Sequence, residues 1–245
     1  MSKKWYQSWF NSPYYHILYH QRDDDEAEFF IDNLLGYLKP SADSKLLDIA
    51  SGRGRHSVYL NKKGFDVTGI DLAYSNIKHA LQFENDRLRF FVHDMRYLFY
   101  INYFDIGFNL FTSFGYFETE NDHINALKAF RKSLKKGGTL VLDYFNSEKI
   151  LRKLNGKEVK NIEGIDFFIS KSIRDDKIIK TIEFEHKHRK FSFQEEVKAF
   201  SLNDFQRMFT RSGFEISHYF GDYALSEFDI EKSDRLIFIC KKIDA

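Results

Sequence analysis

LLDIASGRGRHSVYL, residues 46–60, is the stretch whose reading decides the fold. A short apolar run stops at Asp48, gives way to Gly52 and Gly54, and resumes with helical character, so a strand is expected to turn directly into a helix. Glycine lets the backbone turn sharply there and approach a ligand at the helix N-terminus. A pyrophosphate in this loop would meet the Asp48 carboxylate, and Ser57 stands where a dinucleotide loop carries its third glycine. The loop therefore opposes phosphates.

Outward from this loop, apolar runs alternate with helical patterns. Strands are expected near 45–49, 66–70, 88–92, 104–110 and 138–144. Helices are expected near 54–63, closed by Gly64, near 74–83, and over 121–135, where Ile124, Leu127, Phe130 and Leu134 form one stripe before a Gly137-Gly138 stop. The alternation predicts an α/β fold with a doubly wound, mostly parallel sheet. Upstream, Ala27, Phe30, Ile31, Leu34, Leu35 and Leu38 recur at helical spacing behind the acidic turn 23–26, and Pro40 ends that helix. Downstream, residues 157–200 read as hairpins with a turn at Arg174-Asp175-Asp176-Lys177. A last helix follows, with Ser201 and Asp204 spaced as a capping box and Gly213 as its stop, and strands near 214–220 and 235–240 finish the chain. One domain is expected over 1–245: an N-terminal helical segment at 1–40, a core at 41–150, an antiparallel insertion at 155–200, and residues 201–245 completing the core.

With 245 residues, 43% of them hydrophobic, the chain can bury one substantial core. Lys and Arg number 37 against 36 Asp and Glu, and a net charge of +1 supplies no field for gripping nucleic acid or an anionic membrane. A small ligand is expected. Cys240 is the only cysteine, the N-terminus lacks a signal-peptide core, and no run of about 18 apolar residues occurs, so a cytoplasmic setting is expected.

Two more carboxylates close predicted strands. Asp71, nineteen residues after Gly52, can accept both hydroxyls of a ribose, and Asp94 can accept from an exocyclic amine such as that of adenine. Three acids at successive strand ends would suit a ligand with an ammonium, a ribose and an adenine. The pattern Asp48-x-Ala50-x-Gly52-x-Gly54, the segment GIDLA (69–73) and HDMR (93–96) together resemble the motifs of the class I S-adenosylmethionine (SAM)-dependent methyltransferases over roughly residues 44–145. The resemblance implies a seven-stranded Rossmann-like core, SAM as cofactor, and residues 1–40 as an N-terminal helical lid over the site. It implies Asp48, Ala50 and Gly52 at the methionine end, Asp71 and Leu72 at the ribose, Asp94 and Met95 at the adenine, and Asn109 to Phe111 along the sulfonium. Ala50 departs from the family's commonest glycine.

For the acceptor side, Tyr15 and Tyr19 lie four apart with Arg22 beyond them, and would either staple the segment down by aromatic packing or bring rings, hydroxyls and a cation to the sulfonium or the methionine carboxylate. Tyr116 and Glu118 follow the fourth strand and could touch the acceptor. Alternation in KIIKTIEFEHKHRK would turn His186 and His188 to the buried face, either packing there or looking into the acceptor pocket. No third ligand accompanies them at metal-binding spacing, so no metal is expected. Tyr15, Tyr116, His186 and His188 are the candidates for removing an amine proton. The fourth motif, FDIGFNLFTSFGYF, lacks the Asn/Asp-Pro-Pro-Tyr of DNA and protein-glutamine methyltransferases, and no paired-glutamate loop of arginine methyltransferases occurs. The acceptor is expected to be a small molecule methylated on nitrogen, with the insertion shaping its pocket or a homodimer contact. A non-catalytic SAM-binding module and an NAD-linked oxidoreductase are the rival readings.

Overall fold

The computed structural model describes residues 5–19, 24–152 and 156–243. The glycine loop leaves β1 (Lys45–Ile49) and enters α4 (Arg55–Lys62). The chain then passes through β2 (Asp66–Asp71), α5 (Tyr74–Ala80), β3 (Leu88–Val92), β4 (Phe104–Asn109), α6 (Glu120–Ser133) and β5 (Leu134–Phe145). β1 to β5 are parallel, with β1 between β2 and β4. The far end of the chain completes the sheet: β10 (Phe214–Phe220) and β11 (Arg235–Lys242) pair antiparallel, and β11 inserts beside β5. The seven strands lie in the order β3-β2-β1-β4-β5-β11-β10.

Successive side chains along these strands point to opposite faces and build two cores. Leu46, Val67, Phe108, Val141 and Ile237 meet the stripe Phe30, Ile31 and Leu34 of α3 (Asp24–Leu38). Leu47, Ile70, Leu140, Leu142 and Phe238 meet α6 and α8 (Leu202–Ser212), whose Phe205, Met208 and Phe209 are buried. Each of these side chains contributes on the order of 1.5–3 kcal/mol by burial. Ser201 and Asp204 form the predicted capping box, and left-handed Gly213 ends α8.

Two helices are shorter than predicted. α6 ends at Ser133, because Leu134 takes extended geometry and pairs with Phe104 to begin β5. Gly137 and Gly138 thus lie inside the strand, Gly137 with φ 69° beside a register shift. α5 ends at Ala80, and Leu81–Phe83 tighten into a 3-10 turn.

After β5, α7 (Ser147–Arg152) precedes a second, antiparallel sheet of β6 (Lys157–Ile162), β7 (Ile165–Arg174), β8 (Lys177–His186) and β9 (Arg189–Lys198), in that order. The expected turn joins β7 to β8, with Asp175 left-handed. The N-terminal α1 (Trp5–Trp9) and α2 (Pro13–Leu18) pack on this sheet: Trp9 and Leu18 share a cluster with Ile165, Phe167, Ile182 and Phe184. His186 and His188 do not share a buried face. β8 stops at His186, and Lys187 and His188, with φ 51° and 60°, form the turn into β9, which exposes His188. No helix among the described residues is long and apolar enough to cross a membrane.

Candidate active site

A cavity of about 360 Å3 opens at the carboxyl ends of β1 to β4, beneath α1, α2 and β9. Open parallel sheets bind ligands at such strand ends. Asp48, Ala50 and Gly52 line it from the first loop, and Asp71 and Leu72 from the end of β2. Asp94 and Met95 follow β3, and Phe111 follows β4. Tyr15, Tyr19 and Tyr116 face the same space, whereas Arg22 falls outside the described residues.

The strand-end carboxylates are held differently. Asp48 is 1% exposed, and Ser57 donates to its Oδ2 at 2.6 Å. Burial pushes its carboxyl up to about 6, against the Ser57 hydrogen bond and with the Asp71 charge reinforcing the shift. Asp71 ties down the glycine loop: Gly52 N donates to Oδ2 at 2.9 Å and Ala73 N to Oδ1 at 2.7 Å. Burial raises its carboxyl while these N–H groups oppose the rise. Burial would raise Asp94 too, but the Arg96 guanidinium, with Nη2 at 2.6 Å, outweighs it and holds Asp94 below its ordinary value. Ala50 takes the left-handed φ of 62°, a conformation that glycine adopts without strain. Gly54 serves packing, since a Cβ there would lie 2.6 Å from the Phe90 ring.

The turn after β4 is strained and firmly held. Phe111 and Thr112 are both left-handed, with φ 54° and 58°. Phe111 N donates to Asp143 Oδ2 at 2.7 Å and Thr112 N to Asp143 O at 3.1 Å. Asp143, fully buried on β5, also accepts from Arg235 Nε of β11 at 2.8 Å, and Arg235 Nη2 donates to Thr112 Oγ1 at 2.9 Å. The Phe111 ring is gripped in turn, stacked on His56 at 4.9 Å and against Tyr223 at 5.2 Å.

Several expected contacts are not made. Asn109 does not line the cavity: it is fully buried, and its Nδ2 donates to Ile49 O at 3.1 Å, cross-linking β4 to β1. His186 and His188 also lie off the cavity wall; His186 Nδ1 is 3.0 Å from the Tyr14 hydroxyl, which fastens α2 to β8. Glu118 is exposed and pairs with Lys177 at 3.0 Å.

Residues 19–219 match a family described as a methyltransferase domain. The chain belongs to the class I SAM-dependent methyltransferases. Over 243 residues, 92% of this chain and 80% of the relative, it is 28% identical to a glycine/sarcosine N-methyltransferase of Parasynechococcus marenigrum (strain WH8102). A SAM-dependent methyltransferase from Clostridium acetobutylicum ATCC 824 has the same fold, with TM-score 0.80 at 20% identity over 94% of this chain and 96% of that one. The sugar N-methyltransferase KedS8 from Streptoalloteichus sp ATCC 53650 gives 0.74 at 20% identity over 94% and 93%.

The methyltransferase cavity suits SAM in its donor set. Asp48 is a buried carboxylate whose only hydrogen-bond partner among the described residues is Ser57, as an incoming ammonium requires. Ser51 Oγ, 6% exposed on the cavity wall, takes part in no hydrogen bond among the described residues.

The sequence reading missed three groups of this methyltransferase. His16 lines the cavity, and burial, with Arg53 and His79 adding their charges, lowers its imidazole to about 4, leaving it neutral at pH 7. Its sign in the sequence is adjacency to Tyr15. Asp143 and Arg235 carry no local signal, being brought together only by the β5–β11 pairing. Glu195 of β9 also reaches the cavity; its alternation with Phe191 and Phe193 on one strand face could have marked a carboxylate among aromatics.

Proposed function

We propose that the chain methylates the nitrogen of a small amine, with SAM held along the strand ends and the acceptor received under α1, α2 and β9. The observation that carries this reading is the meeting of Asp48, Asp71 and Asp94 on one cavity whose opposite wall is aromatic and polar. In it Asp48 faces the ammonium of the methionine end, Asp71 the ribose hydroxyls, and Asp94 with Met95 the adenine. SAM, when bound, supplies a methyl on a sulfonium: the nitrogen lone pair forms the new N–C bond, the C–S pair stays on sulfur, and the ammonium formed sheds one proton to solvent. The chain's part is alignment and exclusion of water, for which Phe111, Tyr15 and Tyr116 supply the walls nearest the methyl. Nitrogen is favoured over other acceptor atoms by the likeness to the glycine/sarcosine N-methyltransferase. The lone, buried Cys240 suits a reducing, cytoplasmic setting.

The test is transfer from methyl-labelled SAM into the small-molecule fraction of a cell extract, with the product identified by NMR. Label on nitrogen is the expected result. Label on oxygen or carbon overturns the nitrogen assignment, and calorimetry in which NAD binds while SAM does not overturns the whole reading.

A further inference from the structure

On the acceptor side of the cavity, the antiparallel sheet contributes one carboxylate, Glu195. It stands on β9 directly opposite Lys180 of β8, next to the cross-strand pairs Phe193–Ile182 and Phe191–Phe184. Its two oxygens are used unequally. Trp9 Nε1 donates to Oε1 at 2.7 Å and the Tyr19 hydroxyl donates to the same oxygen at 2.6 Å. Among the described residues, Oε2 has only Lys180 Nζ, at 3.8 Å, beyond hydrogen-bond range. Lys180 itself donates to the Tyr19 hydroxyl and lies over the Tyr19 ring. Among the described residues the side chain, 16% exposed, is fixed by three neighbours and keeps one oxygen with unused acceptor capacity.

We propose that Oε2 of Glu195 receives the N–H of the acceptor, so that the substrate is a primary or secondary amine and the insertion sheet selects it. This rests on the reading of the cavity as an N-methyltransferase site. With Lys180 beside it, the carboxylate adds little net charge; what it offers is a hydrogen-bond acceptor at fixed position. An N–H bound there gains a charge-assisted bond and presents its nitrogen lone pair away from the carboxylate. A hydroxyl-free tertiary amine or a thioether has no proton to give Glu195. Tyr15 and Tyr116, on the same cavity wall, would flank such an amine with ring faces.

Glu195→Gln separates this role from that of a strap between the N-terminal helices and β9. Gln keeps an oxygen for Trp9 and Tyr19 but turns an NH2 toward the acceptor, setting donor against donor. The acceptor is purified from the extract by its label, and initial rates are compared with SAM affinity by calorimetry. A loosened strap would weaken SAM binding and slow kcat together. The proposal expects acceptor KM to rise at least tenfold, with SAM affinity within about twofold of the parent protein. An unchanged KM overturns it, as does a labelled product whose acceptor atom carried no N–H. Failure of the parent protein to bind SAM would instead remove the underlying reading, a result that calorimetry registers separately.

Discussion

The two walls of the cavity are built on different principles. The strand-end wall is assembled from residues close in sequence to a strand terminus, and much of its holding is by backbone groups: Asp71 is bound by Gly52 N and Ala73 N, and Asp94 by a side chain two positions on. The opposite wall is assembled by side chains from remote parts of the chain. Trp9 and Glu195 are 186 positions apart, and Tyr19 and Glu195 are 176 apart. Where a site follows the topology of a sheet, local spacing announces it; where it depends on one surface folding onto another, local spacing marks a side chain at most and not its partners.

The strongest challenge to that division is the Asp143–Arg235 pair, which holds the strand-end wall from a distance. Arg235→Met would leave Asp143 buried without its cation, and breaking such a pair costs about 3–5 kcal/mol. A correspondingly large fall in thermal stability is expected, together with weakened SAM binding as the Phe111–Thr112 turn relaxes. A loss below about 1 kcal/mol would show that the turn is held locally after all.

Asp48 sharpens the comparison through pH. Its folded carboxyl lies at about 6 against an ordinary 3.8, so the folded protein without ligand binds protons more tightly than the unfolded chain between those values. Stability should therefore fall as pH rises from about 4 to about 6, by about 3 kcal/mol in all, and level off above. SAM affinity should rise over the same interval, because the ionised carboxylate is the form that pairs with an ammonium. Thermal melts and calorimetry across this range read both, and Asp48→Asn should flatten both curves. Affinity independent of pH would remove Asp48 from the methionine end.

The smallest effects are expected on the opposite wall's periphery. Tyr14→Phe should cost about 1 kcal/mol, the loss of one partly buried hydrogen bond to His186. His188→Ala, at an exposed turn, should change stability by no more than about 0.5 kcal/mol and leave methyl transfer as it was. A marked loss of activity in His188→Ala would restore the histidine pair to the site.

The parallel core was legible because strands of period two and helices of period 3.6 alternate along residues 44–135. The ends of elements were less so. Whether residue 134 closes a helix or opens a strand is decided by Phe104, which lies thirty positions earlier. Alternation misplaced His188 because it presumes that the strand continues, and β8 stops at His186. The family resemblance implied Asn109 along the sulfonium, whereas its amide faces β1. Glu195 went unread because its importance comes from Trp9 and Tyr19, which approach only after the N-terminal helices dock.

The position of β11 has a bearing on biosynthesis. The strand is the last among the described residues yet lies inside the sheet, between β5 and β10, and it carries Arg235. A nascent polypeptide that has left the ribosome only as far as β5 holds Asp143 with no cation to meet it. Competence to bind the cofactor should arrive only when that strand slots into place, and a truncated translation product that stops short of it should stay unable to take up the nucleoside.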